Sequence, residues 1–451
     1  MNEFKFYLIT DTHYYAESLC LPCSDYDDFM HYEQKCAAET ASINRSVFEF
    51  LKKADEADIV LIAGDLTFNG EKKSHEEFRE LLYDLKASGK KIFVVTADHD
   101  YSERTFAFGE NGRYEPEGIK RENIPEVYKD FGFGQALESD EEHLSYVAQL
   151  TDGVRLLALN SDTKTNGKYT FEESQYEWIR KQAEKARQDG QMLFAMNHYP
   201  VLAGQPILSL VAKTMVKDSH KFASFLADEG IHMIFTGHMH NQSINEITTE
   251  KGNKFYDICT GAIIADPATI RLVTIKDEST VEIKSIPTPD FDYDTNGKDC
   301  KQYLSDLFDN MIGNILYDFK YDTERAMVKL SIKRTPITKF ACKTAGNIVN
   351  SLTLGGIARL LFFKCDKSIR KVKLSDFTTE LVRVVFEGNQ PFKEGTPKGD
   401  AFLALLTRLR FILRKIDVKT PDGKKADLYD ILKNTAGNYG IDDYNAVLKL
   451  K

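Results

Sequence analysis

Five short motifs of this 451-residue chain contain histidine, aspartate or both. The motifs are Asp11-Thr12-His13, Gly64-Asp65, Asp98-His99-Asp100, Asn197-His198 and Gly237-His238-Met239-His240. One such motif alone is more typical of a hydrogen-bonded pair or a turn than of a metal site. Five of them in one chain favour metal binding, because imidazole nitrogens and carboxylate oxygens together select divalent cations such as Mn, Fe, Zn or Co.

Each motif follows a short apolar segment that has the residue pattern of a β-strand. These predicted strands cover residues 4–10, 59–63, 92–96, 192–196 and 232–236, and others are predicted at 154–159, 256–259, 270–275 and 281–286. Apolar residues at helical spacing over 78–85 and 175–187 predict helices between strands. Such alternation, ending in a run of strands, indicates an α/β layered domain with some antiparallel pairing. Ligands bind at the carboxyl ends of strands in such sheets, so we expect the five motifs to meet there.

The order of the motifs (D-x-H, G-D, H-D, H and G-H-x-H) resembles the calcineurin-like metallophosphoesterases. The resemblance covers residues 1–286 and implies a layered sandwich of two mixed β-sheets flanked by helices, with two metal ions side by side. It implies that Asp11, His13 and His240 hold the first ion, that Asp98, His198 and His238 hold the second, and that Asp65 bridges them. His99 matches the catalytic histidine of the family, which contacts substrate, and we expect its neighbour Asp100 to orient the ring.

The family pattern G-N-H-D is replaced here by Ala97-Asp98-His99-Asp100. A carboxylate therefore stands where an amide oxygen usually binds the second metal. It is either an equivalent oxygen ligand, or a change in metal preference or substrate charge, or a mark of lost activity. The other ligands of the pattern are present.

The family resemblance implies hydrolysis of phosphodiesters by a hydroxide that bridges two transition-metal ions, with Mn, Fe or Zn as the candidates. Residues 64–72, Phe131-Gly132-Phe133 and Ser145-Tyr146 are most similar to bacterial class III cyclic-nucleotide phosphodiesterases that carry a C-terminal helical domain. The leading substrates are therefore small phosphoesters such as 3′,5′-cyclic nucleotides. The alternatives are a phosphomonoesterase or a nuclease of the same family, and a metal-binding interaction module without catalysis.

The chain divides into two regions of different pattern and charge. Residues 1–286 form the predicted catalytic domain, with polar insertions at about 14–40 and 101–149. Residues 287–299, rich in Pro, Gly and Asp, are a predicted linker, and apolar residues at helical spacing predict a small all-α bundle over 300–451 that folds as its own unit. From Lys298 onward there are 28 Lys and Arg against 18 Asp and Glu, whereas the preceding residues have 31 against 51.

Composition limits the partners and the compartment. The acidic catalytic half argues against nucleic acid as the substrate, because a nucleic-acid backbone demands a basic track. No apolar run approaches the length of a membrane span. The seven scattered cysteines are typical of reduced thiols, and the N-terminus lacks the pattern of a signal peptide, so we expect a cytoplasmic protein. The sequence does not identify which protein partner, if any, the helical region binds, and a membrane partner is not expected.

Overall fold

The computed structural model describes residues 2–162, 169–204, 207–208, 215–330, 332–388, 392–419, 425–437 and 440–451. The strands are β1 (Phe4–Ile9), β2 (Ile59–Ala63), β3 (Lys91–Val95), β4 (Ala107–Gly109), β5 (Gly112–Tyr114), β6 (Glu138–Asp140), β7 (Ser145–Thr151), β8 (Val154–Ala158), β9 (Met192–Met196), β10 (Met233–Thr236), β11 (Ser243–Thr248), β12 (Lys254–Cys259), β13 (Thr269–Asp277), β14 (Thr280–Pro287), β15 (Asp417–Lys419), β16 (Lys425–Asp427) and β17 (Asn445–Lys449). The helices are α1 (Ser24–Met30), α2 (Thr40–Lys53), α3 (Lys72–Ala87), α4 (Ile124–Val127), α5 (Glu173–Gln188), α6 (Ser219–Asp228), α7 (Cys300–Tyr321), α8 (Thr323–Lys329), α9 (Pro336–Ser351), α10 (Leu354–Leu360), α11 (Leu374–Glu387), α12 (Pro397–Leu413) and α13 (Leu428–Gly437).

Two mixed sheets form the catalytic half, as the sequence predicted. One has the strand order β17-β14-β13-β1-β2-β3 and the other the order β11-β12-β10-β9-β8-β7-β6. Strands β1, β2 and β3 are parallel, and so are β8, β9, β10 and β12. The antiparallel strands lie towards the edges of both sheets.

The sheets pack face to face through apolar side chains, and helices cover their outer faces. Phe6 of the first sheet stacks on Phe194 of the second, with ring centroids 5.4 Å apart, and Phe235 meets Phe6 edge-on. Strand β2 is buried at all five positions, which is typical of parallel strands covered on both faces. Residues of α2 and α3 pack on the first sheet, and residues of α5 and α6 pack on the second.

The two predicted insertions pack together beside the first sheet. Helix α1 belongs to the first insertion, and the β4–β5 hairpin belongs to the second. The Phe29 ring of α1 contacts the Phe106 ring at 5.2 Å and the Phe108 ring at 5.6 Å. Tyr14 and Tyr15 are buried in the same aromatic core.

The region after β14 is helical from α7 to α13 and has its own apolar core, built from α10, α11 and α12. It also contains strands that the sequence did not predict. The most consequential is β17, which returns to the catalytic half and pairs antiparallel with β14. The segment between β14 and α7 lies against α2, where the Ser42 hydroxyl donates a hydrogen bond to the Asp292 carbonyl at 2.6 Å. Among the described residues, every helix is too short or too polar to cross a lipid bilayer.

Candidate metal centre

The five motifs end five neighbouring strands of the two sheets, so their side chains meet at one edge of the sandwich. The residues after β1, β2 and β10 turn sharply. The following non-glycine residues of these motifs adopt positive φ: Asp11 (50°), His13 (35°), Asp65 (49°), His238 (66°) and His240 (50°). Such conformations are costly for residues with a side chain and cluster at functional sites. The loops therefore direct these side chains to one point at the expense of local backbone strain.

Two glycines allow the loops to approach one another. A Cβ atom at Gly64 would lie 2.6 Å from His198 Nδ1. A Cβ atom at Gly237 would lie 2.0 Å from Thr10 Oγ1 and 2.5 Å from Asp11 Oδ2. The glycines of the G-D and G-H-x-H motifs are thus needed for close packing around Asp11 and His198.

Asp11, His13 and His240 form the first group of possible ligands. Their ligand atoms lie within 4.8 Å of one another. The Nε2 atoms of His13 and His240 face each other at 3.2 Å, and His240 Nε2 lies 3.2 Å from Asp11 Oδ1. Asp65 Oδ2 is 3.4 Å from His13 Nε2, so this carboxylate reaches the first group as well.

Asp65 also belongs to a second group with His198 and His238, and to a third with Asp98 and His99. His198 Nε2 lies 3.0 Å from Asp65 Oδ2. On the other side of the ring, His198 Nδ1 donates a hydrogen bond to the Ala63 carbonyl at 2.7 Å, which leaves Nε2 facing the cluster. The position of Asp65 between the groups is the one that a bridging ligand requires.

Asp98 is held from one side by two donors. Arg104 forms an ion pair with Asp98 Oδ2 at 2.5 Å, and the Tyr169 hydroxyl donates to the same oxygen at 3.1 Å. The other oxygen, Asp98 Oδ1, is buried without a hydrogen-bond partner. The carboxylate that replaces the family asparagine therefore has one oxygen engaged and one oxygen available.

His99 lies beside the first group, with its ring centroid 5.0 Å from that of His13. Its Nδ1 atom faces two acceptors, the Phe68 carbonyl at 2.7 Å and Asn69 Oδ1 at 2.9 Å, which assigns the ring proton to Nδ1. Nε2 is then the acceptor nitrogen, and Arg104 Nη1 lies 3.5 Å from it. The structure thus leaves Nε2 directed towards the charged cluster.

We predicted that Asp100 orients the His99 ring, but in the structure the two residues have other hydrogen-bond partners. Asp100 Oδ2 accepts from the Ala97 backbone, and Asp100 Oδ1 accepts from the Thr67 backbone, both at 2.9 Å. These hydrogen bonds tie the loop after β3 to the loop after β2. Asp100 therefore shapes the motif, and Asn69 takes the place that we expected for it beside His99.

Burial and charge together set the protonation of the site. Burial lowers the pKa of His198, but Asp65 and Asp11 outweigh this effect and raise it to about 10. Burial lowers the pKa of His238 to about 3. Burial raises the pKa of Asp98, and so does the nearby Asp65. The positive charges of His99 and Arg104 outweigh both effects, so the pKa of Asp98 lies below its ordinary value. Without a bound cation, the buried carboxylates thus hold a proton on His198.

Two basic side chains near the cluster were not predicted from the sequence as part of the site. Lys35, in the first insertion, is only 7% exposed, and its ammonium lies 4.7 Å from the centre of the Phe68 ring. Its charge lowers the pKa of His99, second to burial. Arg104, in the second insertion, touches both Asp98 and His99. No motif marks either residue, and the only signal was that long insertions at strand ends are often functional.

The sequence matches the model of the calcineurin-like phosphoesterase family over residues 4–242, which is more than half of the chain. The chain belongs to the calcineurin-like phosphoesterase family. The match includes all seven residues that we predicted as ligands. No curated protein matches the sequence.

Several solved structures are similar to this phosphoesterase over more than half of its chain. A dimetal phosphatase from Danio rerio is 13% identical, with 63% of this chain and 96% of that chain covered and a TM-score of 0.45. A purple acid phosphatase from yellow lupin seeds is 14% identical, with shares of 64% and 52% and a TM-score of 0.44. A putative 5′-nucleotidase from Staphylococcus aureus is 14% identical, with shares of 84% and 72% and a TM-score of 0.37.

The family implies two metal ions, and the donor set of this phosphoesterase fits them. Asp65 Oδ1 and Asp98 Oδ1 are buried without hydrogen-bond partners, although buried polar atoms are nearly always paired. The donors are imidazole nitrogens and carboxylate oxygens, which suit transition metals. A cation would satisfy these atoms and displace the proton from His198.

Proposed function

We propose that this phosphoesterase hydrolyses phosphodiesters and works with two divalent transition-metal ions. In this proposal Asp11, His13 and His240 bind the first ion, Asp98, His198 and His238 bind the second, and Asp65 binds both. The observation that carries it is the convergence of three ligand groups, with unpaired buried atoms among them, at one edge of the sandwich.

The charge of the ligands supports diesters over monoesters. Two divalent ions, when bound, neutralise the phosphate oxygens and lower the pKa of a water towards ~7. The carboxylates of Asp11, Asp65 and Asp98 offset three of their four positive charges. Counted over the ions and these three carboxylates alone, the remaining charge matches the single negative charge of a diester better than the two charges of a monoester.

His99 is the residue to which we assign the protonation of the leaving oxygen. Its Nδ1 is held by the Phe68 carbonyl and Asn69, so Nε2 faces the cluster, where it would pass a proton taken up from solvent to the leaving oxygen, while the proton of the attacking water is lost to solvent. One P–O bond forms to the water oxygen and the P–O bond to the leaving group breaks, which yields a monoester and an alcohol. Arg104 and Lys35 add positive charge near His99, where burial lowers the pKa of the ring and both charges lower it further.

Metal binding and turnover are tested by one set of variants. The purified protein should contain close to two equivalents of transition metal and hydrolyse bis(p-nitrophenyl) phosphate in Mn²⁺. We expect Asp65→Ala to lose both ions and His238→Ala to lose mainly one. The matched control is His232→Ala, because His232 lies just before the strand that precedes His238 and its ring Nδ1 donates to the Lys254 carbonyl at 2.9 Å, away from the ligand groups. Retention of two ions by Asp65→Ala would overturn the ligand assignment.

The role of His99 is tested on esters that differ in their leaving group. His99→Ala should keep both ions and lose roughly 10²–10⁴ in kcat on a diester with a poor leaving group. The loss should be smaller on the nitrophenyl ester, whose leaving group needs little protonation. Equal losses on both esters would contradict proton transfer. Full metal content without turnover of any ester, in the unsubstituted protein, would identify a binding module instead of an enzyme.

The finer substrate assignment is decided by a panel of esters at equal metal saturation. The panel contains 3′,5′-cyclic AMP, which the resemblance favours, together with p-nitrophenyl phosphate and single-stranded oligonucleotides. We expect kcat/KM for diesters to exceed that for the matched monoester. A preference for p-nitrophenyl phosphate would replace the diester proposal with a phosphomonoesterase.

A further inference from the structure

An apolar cavity of about 500 Å³ lies between the candidate metal centre and the helical region. His238 and Met239 form part of its wall on the catalytic side. On the helical side the wall contains Leu381, Val385 and Phe386 of α11. A ligand of the second metal, in the proposed function, is therefore also a wall of this cavity.

The position of α11 beside the metal motif is fixed by the backbone. The Gln242 backbone N–H, two residues after His240, donates to the Phe386 carbonyl at 2.8 Å. A Cβ atom at Gly388, just beyond α11, would lie 2.4 Å from the Gln242 carbonyl, so these two backbone segments are in close contact. The cavity is thus built by a direct junction between the G-H-x-H loop and the helical region.

The chemistry of the wall selects an aliphatic group. Among the described residues that line the cavity, the polar side chains are His238 and Thr435. The Thr435 hydroxyl is already paired, because it accepts from the Ile207 backbone at 3.0 Å and donates to the Ile431 carbonyl at 2.9 Å. A nucleobase placed there would leave the polar atoms of its edges unpaired, which is strongly unfavourable.

We propose that this cavity receives an alkyl or acyl chain of the substrate, so that the enzyme acts on phosphodiesters with an aliphatic ester group. This inference rests on the proposed function, because the phosphate is held by the metal centre while the chain extends along His238 and Met239. A cavity of a few hundred Å³ with apolar walls is the usual form of a small-molecule site. An aliphatic group in the cavity would bury the apolar surface of its walls.

A series of p-nitrophenyl alkyl phosphodiesters from methyl to decyl tests the proposal. The series is measured as kcat/KM in saturating Mn²⁺ and below the micelle concentration. Each added methylene should raise kcat/KM by about two- to fourfold, the gain expected from its burial, until the cavity is full. Leu381→Trp, which fills the cavity, should flatten this dependence, and Val382→Phe on the same helix should do so if the first variant folds poorly.

The matched control places a tryptophan elsewhere in the helical region. Ile412 of α12 is 64% exposed and does not line the cavity, so Ile412→Trp should keep the full chain-length dependence. A flat series in the unsubstituted enzyme, or equal slopes in Leu381→Trp and Ile412→Trp, would overturn the proposal. A higher kcat/KM for 3′,5′-cyclic AMP than for the decyl ester would also overturn it.

A ligand without phosphate separates this inference from the proposed function. By calorimetry, 1-octanol should bind the full-length protein both with and without Mn²⁺, and Leu381→Trp should abolish this binding. Ester hydrolysis without octanol binding or a chain-length effect would reject the cavity assignment while the phosphodiesterase proposal stands. Octanol binding without hydrolysis of any ester would support the cavity as an aliphatic site and reject the proposed reaction.

Discussion

Asp98 and Arg104 form an ion pair at the proposed second metal position, where the family pattern has an asparagine. Asp98 Oδ2 is neutralised by Arg104 at 2.5 Å, while Oδ1 is buried and unpaired. Asn at this position would offer a weaker ligand atom and would release Arg104 from its partner. The extra carboxylate and the arginine thus act on substrate charge in opposite directions, and the arginine comes from the second insertion.

We expect Asp98→Asn to remain active, to hold the second ion less tightly and to favour monoesters. The ratio of monoester to diester kcat/KM should rise roughly three- to tenfold, about the effect of one partly exposed charge. The measurement uses matched aryl esters in saturating Mn²⁺. Arg104→Gln is the complementary variant and should lower the same ratio. An unchanged ratio in both variants would mean that Asp98 is simply an alternative oxygen ligand.

Gly237 lacks a side chain at a point where a Cβ atom would overlap with Asp11, a proposed ligand of the first ion. We expect Gly237→Ala to reduce metal retention at least tenfold, because its Cβ would overlap with Thr10 Oγ1 and Asp11 Oδ2. Gly252→Ala is the comparison, since a Cβ there meets nothing within 4 Å, although at its φ of 86° a side chain strains the backbone. Metal retention is measured by competition with a chelator. Equal metal loss in the two variants would contradict displacement of Asp11 by the added Cβ atom.

The site could be predicted from the sequence because its residues directly follow strands that are recognisable by their apolar pattern. The apolar segments before Asp11 and Asp65 have a clear β pattern and form adjacent parallel strands of one sheet, and those before His198 and His238 form adjacent parallel strands of the other. The proximity of their carboxyl ends then follows from the topology. The partners of His99 could not be predicted in this way. Asn69 and Arg104 lie in loops without periodicity, and their contacts depend on the three-dimensional path of the insertions.

Asp257 of β12 shows how a strand fixes the loop that follows His198. Asp257 Oδ2 accepts hydrogen bonds from the backbones of Val201 at 2.7 Å and Leu202 at 2.8 Å, and Oδ1 accepts from the Thr236 hydroxyl. Burial raises the pKa of Asp257 to about 6. In the unfolded chain an aspartate titrates near 3.9. Between these values the folded protein binds more protons, so this group's contribution to the free energy of unfolding falls as pH rises from about 4 to 6.

Asp257→Asn should remove this pH dependence, because an amide can keep the two backbone hydrogen bonds and does not titrate. The difference in the free energy of unfolding, parent minus variant, should therefore fall by up to about 3 kcal/mol between pH 4 and pH 7. Urea unfolding in chelator at several pH values measures it. A difference that stays constant or rises with pH would contradict the raised pKa of the folded state.

At the scale of the whole molecule, ion pairs and hydrogen bonds connect the helical region to the catalytic half at several separate places. On one side, Arg325 of α8 pairs with Asp28 of α1 at 2.9 Å, and His31 meets Asp318 of α7 at 2.9 Å. On another side, the Ile244 backbone donates to Asp443 Oδ1 at 2.8 Å, and the buried Arg271 donates to the Asp443 carbonyl at 3.0 Å. The independent folding that we predicted for residues 300–451 stays a prediction, and these contacts are what a separated helical unit would lose.

Strand β17 is the part of this junction that we did not predict from the sequence. Its partner β14 lies some 160 residues earlier, and the short segment has no strand pattern that identifies it without this pairing. Leu448 is 1% exposed and packs in the core between the sheets, whereas its neighbour Val447 is 61% exposed on the opposite face. The two positions therefore form a matched pair within one strand.

We expect Leu448→Ala to lower the free energy of unfolding by roughly 2–5 kcal/mol, because it opens a cavity in the main core. Val447→Ala should cost less than about 1 kcal/mol, because it removes only exposed surface. If β17 joins the two halves into one cooperative unit, Leu448→Ala will lower the unfolding midpoint of both together, observed by Trp178 fluorescence in the catalytic half and by far-ultraviolet circular dichroism for all helices. Loss of helical signal before any change at Trp178, or equal costs for the two substitutions, would show that β17 is not a structural part of the catalytic core.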